Sequence, residues 1–188
     1  VFESVSHVDE AQGFLDTNTS RKAMSVIDRY RALLVVRDPV ALKVQALLAR
    51  AGREASSGGG SNAKTADGRR ILCLDYVMSA VSIDEETLEK IWPLVIDVCD
   101  GRLITKRILQ GLFYTERFLV NTSLLERHWR RRLLQIGYDG IIKSIDETCA
   151  FEGKTGSAVC AAGVLRAVNR GLRNKLTVTT KTTEEAPE

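Results

Sequence analysis

The chain has few helix breakers, few histidines and no long apolar run. Three prolines among 188 residues leave long segments able to stay helical. The two histidines, His7 and His128, stand far apart in sequence. A Cys/His nucleophilic pair would have to join His128 to Cys149 or Cys160, and no local pattern supports one. The four cysteines, Cys73, Cys99, Cys149 and Cys160, include no C-x-x-C spacing, and no clustered Cys, His and carboxylate pattern offers a metal four ligands. Each cysteine sits in an apolar, helix-like context, so the expectation is reduced core thiols in an intracellular, cytoplasmic protein. No apolar run approaches the roughly 18 residues of a membrane span, and no secretory pattern opens the chain, so no membrane partner is expected. The chain opens on Val1 and not on methionine, as expected of a domain taken from a longer protein.

A net charge of only +3 argues against a dedicated nucleic-acid binder, which carries a strong basic excess. The 44% hydrophobic content is enough for a substantial core.

Hydrophobic spacing is helical nearly throughout. Asp16–Ser20 offers N-cap residues for a helix over about 20–36, with His7 left in a frayed terminus. Asp38-Pro39 restarts the chain, Asp as cap and Pro in the first turn. A Gly/Ser loop at about 55–66 is expected to be flexible, because its three consecutive glycines carry a large ordering entropy. Segment 68–81 is apolar almost all round, and a separate helix should start at Ser82–Glu86, with a kink or break near Lys90–Trp92 ahead of Pro93. Further helices follow at about 103–120, from the Asn121–Ser123 cap to Gly137, at 139–150 and at 157–174. The expectation is all-α: eight to nine antiparallel helices without a convincing strand, in a helical array or irregular bundle. A single interaction domain would cover 1–176, with a disordered tail at 177–188.

Two short motifs resemble chemistry without supplying it. Gly153-Lys-Thr-Gly156 resembles the end of a P-loop, but Thr148 stands where the first glycine belongs and the preceding segment reads as helix. Asp84-Glu-Glu86 reads as an acidic first turn favoured by the helix dipole. The reading is therefore non-enzymatic and without a cofactor.

The stretch from Leu88 to Val120, LEKIWPLVIDVCDGRLITKRILQGLFYTERFLV, resembles a HEAT or armadillo repeat pair. It has a proline in its first helix, an aspartate near the turn, then a basic residue and an apolar second helix. That resemblance implies a helical solenoid that scaffolds other proteins or peptides. A fainter similarity, in helix lengths and a basic distal half, is to the helical C-terminal domain of the katanin regulatory subunit. It implies microtubule binding as an alternative.

The segment LLERHWRRRLLQIG, residues 124–137, concentrates the question of function. At 100° per residue Leu125, Trp129, Leu133 and Ile136 share one face, with Arg132 at its margin. Arg127, Arg130 and Arg131 point away from it, around Leu134. In the last helix Leu165, Val168 and Leu172 form an apolar stripe, and Arg166, Arg170 and Arg173 a basic one. Residues 121–175 hold ten Lys/Arg against five acids, while 83–100 hold one lysine against six acids. Charge is thus segregated although the total is nearly balanced. The expected function is a scaffold that docks an acidic or amphipathic helix of a partner protein on Arg127, Arg130, Arg131, Leu134, Arg166, Arg170 and Arg173. RNA or DNA binding is the alternative, though an inward Trp129 could not stack on bases. Self-association of the acidic and basic segments, giving a homo-oligomer, is a further option.

Overall fold

The fold was analysed in a computed structural model that describes residues 6–21, 24–55, 70–71, 73–119, 122–173 and 175–178, without the side chains of 17–21 and 122–127. The expected loop at 55–66, beyond Ala55, and the tail beyond Val178 lie outside the described residues. The chain is mostly helical. Packing divides it into two compact units, the first drawn from residues 1–85 and 101–104, the second from 86–100 and 105–188.

The first unit begins with α1 (His7–Arg21), α2 (Val26–Val35) and α3 (Pro39–Arg50). His7 therefore opens a helix, and does not lie in a frayed end. The cap of α2 is Ser25, whose hydroxyl accepts from the Asp28 amide at 3.2 Å, and not a residue of Asp16–Ser20. The Asp38-Pro39 start is as expected, with the Asp38 carboxylate accepting from the Ala41 amide at 2.9 Å. Arg37 closes α2 with φ 57°, while the Asp38 and Arg37 amides donate to Leu33 and Leu34. The core of this unit joins Ile27, Tyr30, Val44, Leu47, Leu74 and Val77.

The expectation of no strand is corrected by a two-residue parallel ladder, β1 (Glu54–Ala55) with β2 (Arg70–Ile71). Ile71 also bridges Ile104. The buried Arg53 donates to the Arg102 carbonyl at 3.0 Å, which gives its charge a partner where water is excluded.

Seven helices are assigned among the described residues, and two of them each join two helical segments that the sequence reading separates. Each of these two long elements is kinked at one non-helical residue. In α4 (Leu74–Cys99) that residue is Asp84, with an extended backbone at φ −164° and ψ 84°. The break sits at Asp84, within the helix start expected at Ser82–Glu86, and none sits before Pro93, whose missing N–H is absorbed within a helical backbone. Ser82 does not cap a new helix, since its hydroxyl bonds back to the Met78 carbonyl at 3.1 Å.

The second unit comprises residues 86–99 of α4, α5 (Lys106–Phe118), α6 (Thr122–Glu152) and α7 (Ser157–Asn169). Here the non-helical residue is Gly137, at φ 69° and ψ 175°, in the left-handed range where a side chain is costly. It stands where the sequence placed the end of the arginine helix. The proposed cap Asn121 lies outside the described residues. Packing centres on α7, which meets α5 and α6 at glycines. A Cβ on Gly111 of α5 would lie 2.8 Å from Val164 Cγ2, and one on Gly163 of α7 would lie 2.6 Å from Ile145 Cα. Around these contacts Ile91, Val95, Ile108, Leu112, Leu133, Ile141, Ile145 and Val164 are fully buried.

Candidate functional site

The first half of α6 and the end of α7 carry most of the arginines that the sequence singled out. The helical-face reading holds for four of the described side chains: Trp129 is 1% exposed, Leu133 is buried, and Arg131 and Leu134 face solvent. The helix 157–174 is shorter than expected. It ends at Asn169, and Gly171 follows in a left-handed conformation at φ 77°. Arg166, Arg170 and Arg173 therefore do not form one helical stripe, because only Arg166 is on α7.

The chain leaving α7 is pinned by Asn169. Its side-chain amide donates to the Leu176 carbonyl at 2.9 Å, and its side-chain oxygen accepts from the Leu176 amide at 2.8 Å. This pair imitates a strand ladder and holds Leu176 in the core. Val178 then forms an antiparallel bridge with Leu119, so the tail expected from Thr177 begins with ordered residues. Arg132 completes the junction by donating to the Arg170 carbonyl. A guanidinium at a helix C-terminus satisfies an orphan carbonyl and faces the negative end of the helix dipole.

Two adjoining cavities result, with Arg132 in the wall of both. The larger encloses about 410 Å³, lined by His128, Trp129, Arg131, Arg132 and Gln135 from α6 and by Val168, Leu172 and Leu176. Among the described residues its lining has cationic and N–H-bearing groups on one side, aliphatic side chains on the other and no carboxylate. The Trp129 indole N–H and the Arg132 Nε–H are buried without an acceptor among the described residues. Each such buried donor costs about 1–3 kcal/mol. The smaller cavity, about 220 Å³, is bounded by Lys143, Ser144, Glu147 and Arg170 along with Arg132.

The sequence-predicted site is thus brought together in part. Arg131 lines the larger cavity and Arg170 the smaller. Arg166 faces Glu147 at 3.9 Å, both of them about half exposed, a pairing worth little in water. Arg173 is exposed. Arg130 departs from the expected outward face: its guanidinium approaches Glu116 at 3.7 Å and the Lys90 carbonyl at 3.4 Å. The Glu116 carboxylate is 4% exposed and also holds Lys90 at 2.6 Å, so the triad joins α4, α5 and α6 within the second unit. The Arg127 side chain lies outside the described residues. Sequence reasoning missed Asn169, Glu116 and the capping role of Arg132, because each acts on a partner remote in sequence or on backbone beyond a helix end.

Elsewhere in the second unit, Cys149 and Cys160 are buried together. Burial first, and the neighbouring Cys149 second, push the Cys160 thiol up to about 11. Such a thiol is a poor nucleophile near neutral pH. Among the described residues no three His, Cys, Asp or Glu side chains gather to hold a metal ion, and no helix is long and apolar enough to cross a membrane. No protein-family model, curated protein or solved structure matches the chain.

Proposed function

We propose that the groove between α6 and α7 docks an acidic, amphipathic helical segment of a partner protein, and that the domain works by binding and not by catalysis. The observation behind this reading is the larger cavity: Arg131 and Arg132 beside a wall of Val168, Leu172 and Leu176, with no acidic residue among the described residues that line it. An acidic helix with one apolar face has the complementary chemistry. Arginine suits the role because its planar fork binds a carboxylate through two parallel hydrogen bonds. On this reading the helices form an antiparallel scaffold of the HEAT or armadillo kind. The buried Trp129 offers no ring face on which a base could stack, so protein is preferred to nucleic acid as partner.

The test is affinity capture from cell extract with the wild type and an Arg131→Glu/Arg166→Glu/Arg170→Glu variant side by side. The variant loses the captured partner while its thermal midpoint stays close to that of the wild type. Equal capture by both chains rejects the proposal. Oligonucleotide binding that weakens steeply with salt, or co-sedimentation with microtubules in place of a captured helical partner, would replace it with one of the alternatives.

A further inference from the structure

We infer that Cys149 and Cys160 form an oxidisable dithiol, which hydrogen peroxide converts to a disulfide tying α6 to α7. The site lies in the second unit and uses none of the arginines of the proposed groove.

The pairing follows from the helix register. The Ser144 hydroxyl donates to the Gly163 carbonyl at 2.8 Å, and a Cβ on Gly163 would lie 2.6 Å from the Ile145 Cα. The two helix backbones therefore touch at this level. α6 ends at Glu152 and α7 begins at Ser157, so the chain reverses within a few residues. Moving toward that turn, Cys149 stands four residues after Ile145 and Cys160 three before Gly163. Each is one helical turn along the face already in contact. Both side chains are buried there, and their thiols are within hydrogen-bonding reach of each other. A disulfide needs Cα atoms about 4.4–6.8 Å apart. Backbones that touch one turn away leave facing side chains within that span.

The surroundings assign a role to each sulfur. Cys160 is fully buried, donates to the Gln110 side-chain oxygen at 3.9 Å, and is kept protonated by burial and by Cys149. It is a poor group for attack on a free oxidant. Cys149 is 7% exposed, and hydrogen peroxide, with only two heavy atoms, is small enough for its edge. Arg107 of α5, ion-paired with Asp146, brings a cation within electrostatic reach of both thiols, and such a cation steadies an attacking thiolate. In the first step the Cys149 sulfur attacks one peroxide oxygen. The O–O bond breaks, Cys149 becomes a sulfenic acid, and the departing hydroxide takes up the thiol proton as water. In the second step the Cys160 sulfur attacks the Cys149 sulfur. The S–O bond breaks, and the hydroxyl leaves as water with the Cys160 proton. The two sulfurs together lose two electrons, which the peroxide gains. Held against Cys149, Cys160 acts at a high effective concentration, which offsets its weak nucleophilicity.

The test exposes the folded wild-type protein to excess hydrogen peroxide near neutral pH. Trypsin cuts after Lys154, so a Cys149–Cys160 disulfide joins peptides 144–154 and 155–166. Mass spectrometry should find this joined pair, and dithiothreitol should separate it. Iodoacetamide labelling of the buried Cys73 and Cys99, run in parallel, measures how fast the protein opens, and the disulfide should form faster than that. Cys160→Ala should leave Cys149 as a sulfenic acid that dimedone traps, while Cys149→Ala should leave Cys160 unoxidised over the same time. The joined peptide is read on the wild type, so that result stands whether or not the alanine variants fold. Absence of the joined peptide, or its appearance only at the pace of opening, overturns the inference. A disulfide from either residue to Cys73 or Cys99 in the folded protein does so too.

Discussion

The Ser144 hydroxyl donates to the Gly163 carbonyl at 2.8 Å, joining α6 directly to the backbone of α7. The bond is possible because the helices approach closely there, with Gly163 against the backbone of Ile145. Two buried polar groups are satisfied without a water, at a place where no Cβ fits. The groove of the second unit depends on this contact, since α6 and α7 supply its walls.

The first prediction follows from that contact. Gly163→Ala gains about 1 kcal/mol of helix propensity but must push apart two helix backbones, and overpacking of this kind costs about 1–3 kcal/mol or more. Because the obstructing atom is Ile145 Cα and not a flexible side-chain end, the cost wins. The variant should lose about 2 kcal/mol of stability in urea unfolding. Gly13→Ala on the exposed face of α1, where a new Cβ meets nothing within 4 Å, should gain up to about 1 kcal/mol. Equal effects at the two glycines would show that α6 and α7 are not in backbone contact.

A second prediction concerns Glu116. Its carboxylate is 4% exposed, whereas Lys90 is 47% and Arg130 32% exposed. The cations can return to water when the acid is lost, so the cost falls below the about 3–5 kcal/mol of breaking a fully buried pair. Glu116→Gln should destabilise by about 1–2 kcal/mol. In a double-mutant cycle with Lys90→Met the two losses should be less than additive, because both break the same contact. Strict additivity would show that Lys90 and Glu116 do not interact. Arg130→Glu should also destabilise the fold, which separates it from Arg131 and Arg170 in any binding assay.

These residues also show what could be read in advance. The cap at Asp38-Pro39, the turn at Gly137 and the inward face of Trp129 and Leu133 depend on local backbone chemistry and helical spacing, and all were legible. The α6–α7 groove was foreseen as a basic surface because arginines recur there. Its actual walls were not, since they depend on Asn169 holding Leu176 and on Arg132 reaching Arg170. Arg130 was assigned to solvent because a helical wheel shows direction but not the neighbour: it could not show Glu116 arriving from α5. The break at Asp84 falls within the helix start expected at Ser82–Glu86, whereas the further kink expected ahead of Pro93 is absent, since a proline's missing N–H can be absorbed by a helix that packing holds straight. The two-residue ladder is too short to produce an alternating pattern, so Glu54–Ala55 and Arg70–Ile71 left no strand signal.

The last prediction uses the buried thiols. Cys160 is fully buried, and its thiol is pushed up to about 11 from an ordinary value of 9.0, by burial first and then by Cys149. The folded state therefore keeps a proton that the unfolded chain releases near pH 9. Between about pH 9 and about pH 11 the folded protein binds more protons than the unfolded chain, so stability falls as pH rises through that window. Below about pH 9 both states hold the proton and the contribution is constant. Two pH units of difference correspond to a loss on the order of 3 kcal/mol. Burial also raises the Tyr30 phenol, which adds to the same alkaline decline. Urea unfolding as a function of pH should thus show a level region and then a descent, and Cys160→Ala should make the descent shallower. In parallel, iodoacetamide at about pH 8 should label Cys160 only as fast as the protein opens, since roughly one native thiol in a thousand is then a thiolate. Rapid labelling of the folded protein, or a pH profile unchanged by Cys160→Ala, would contradict a thiol held neutral by burial beside Cys149.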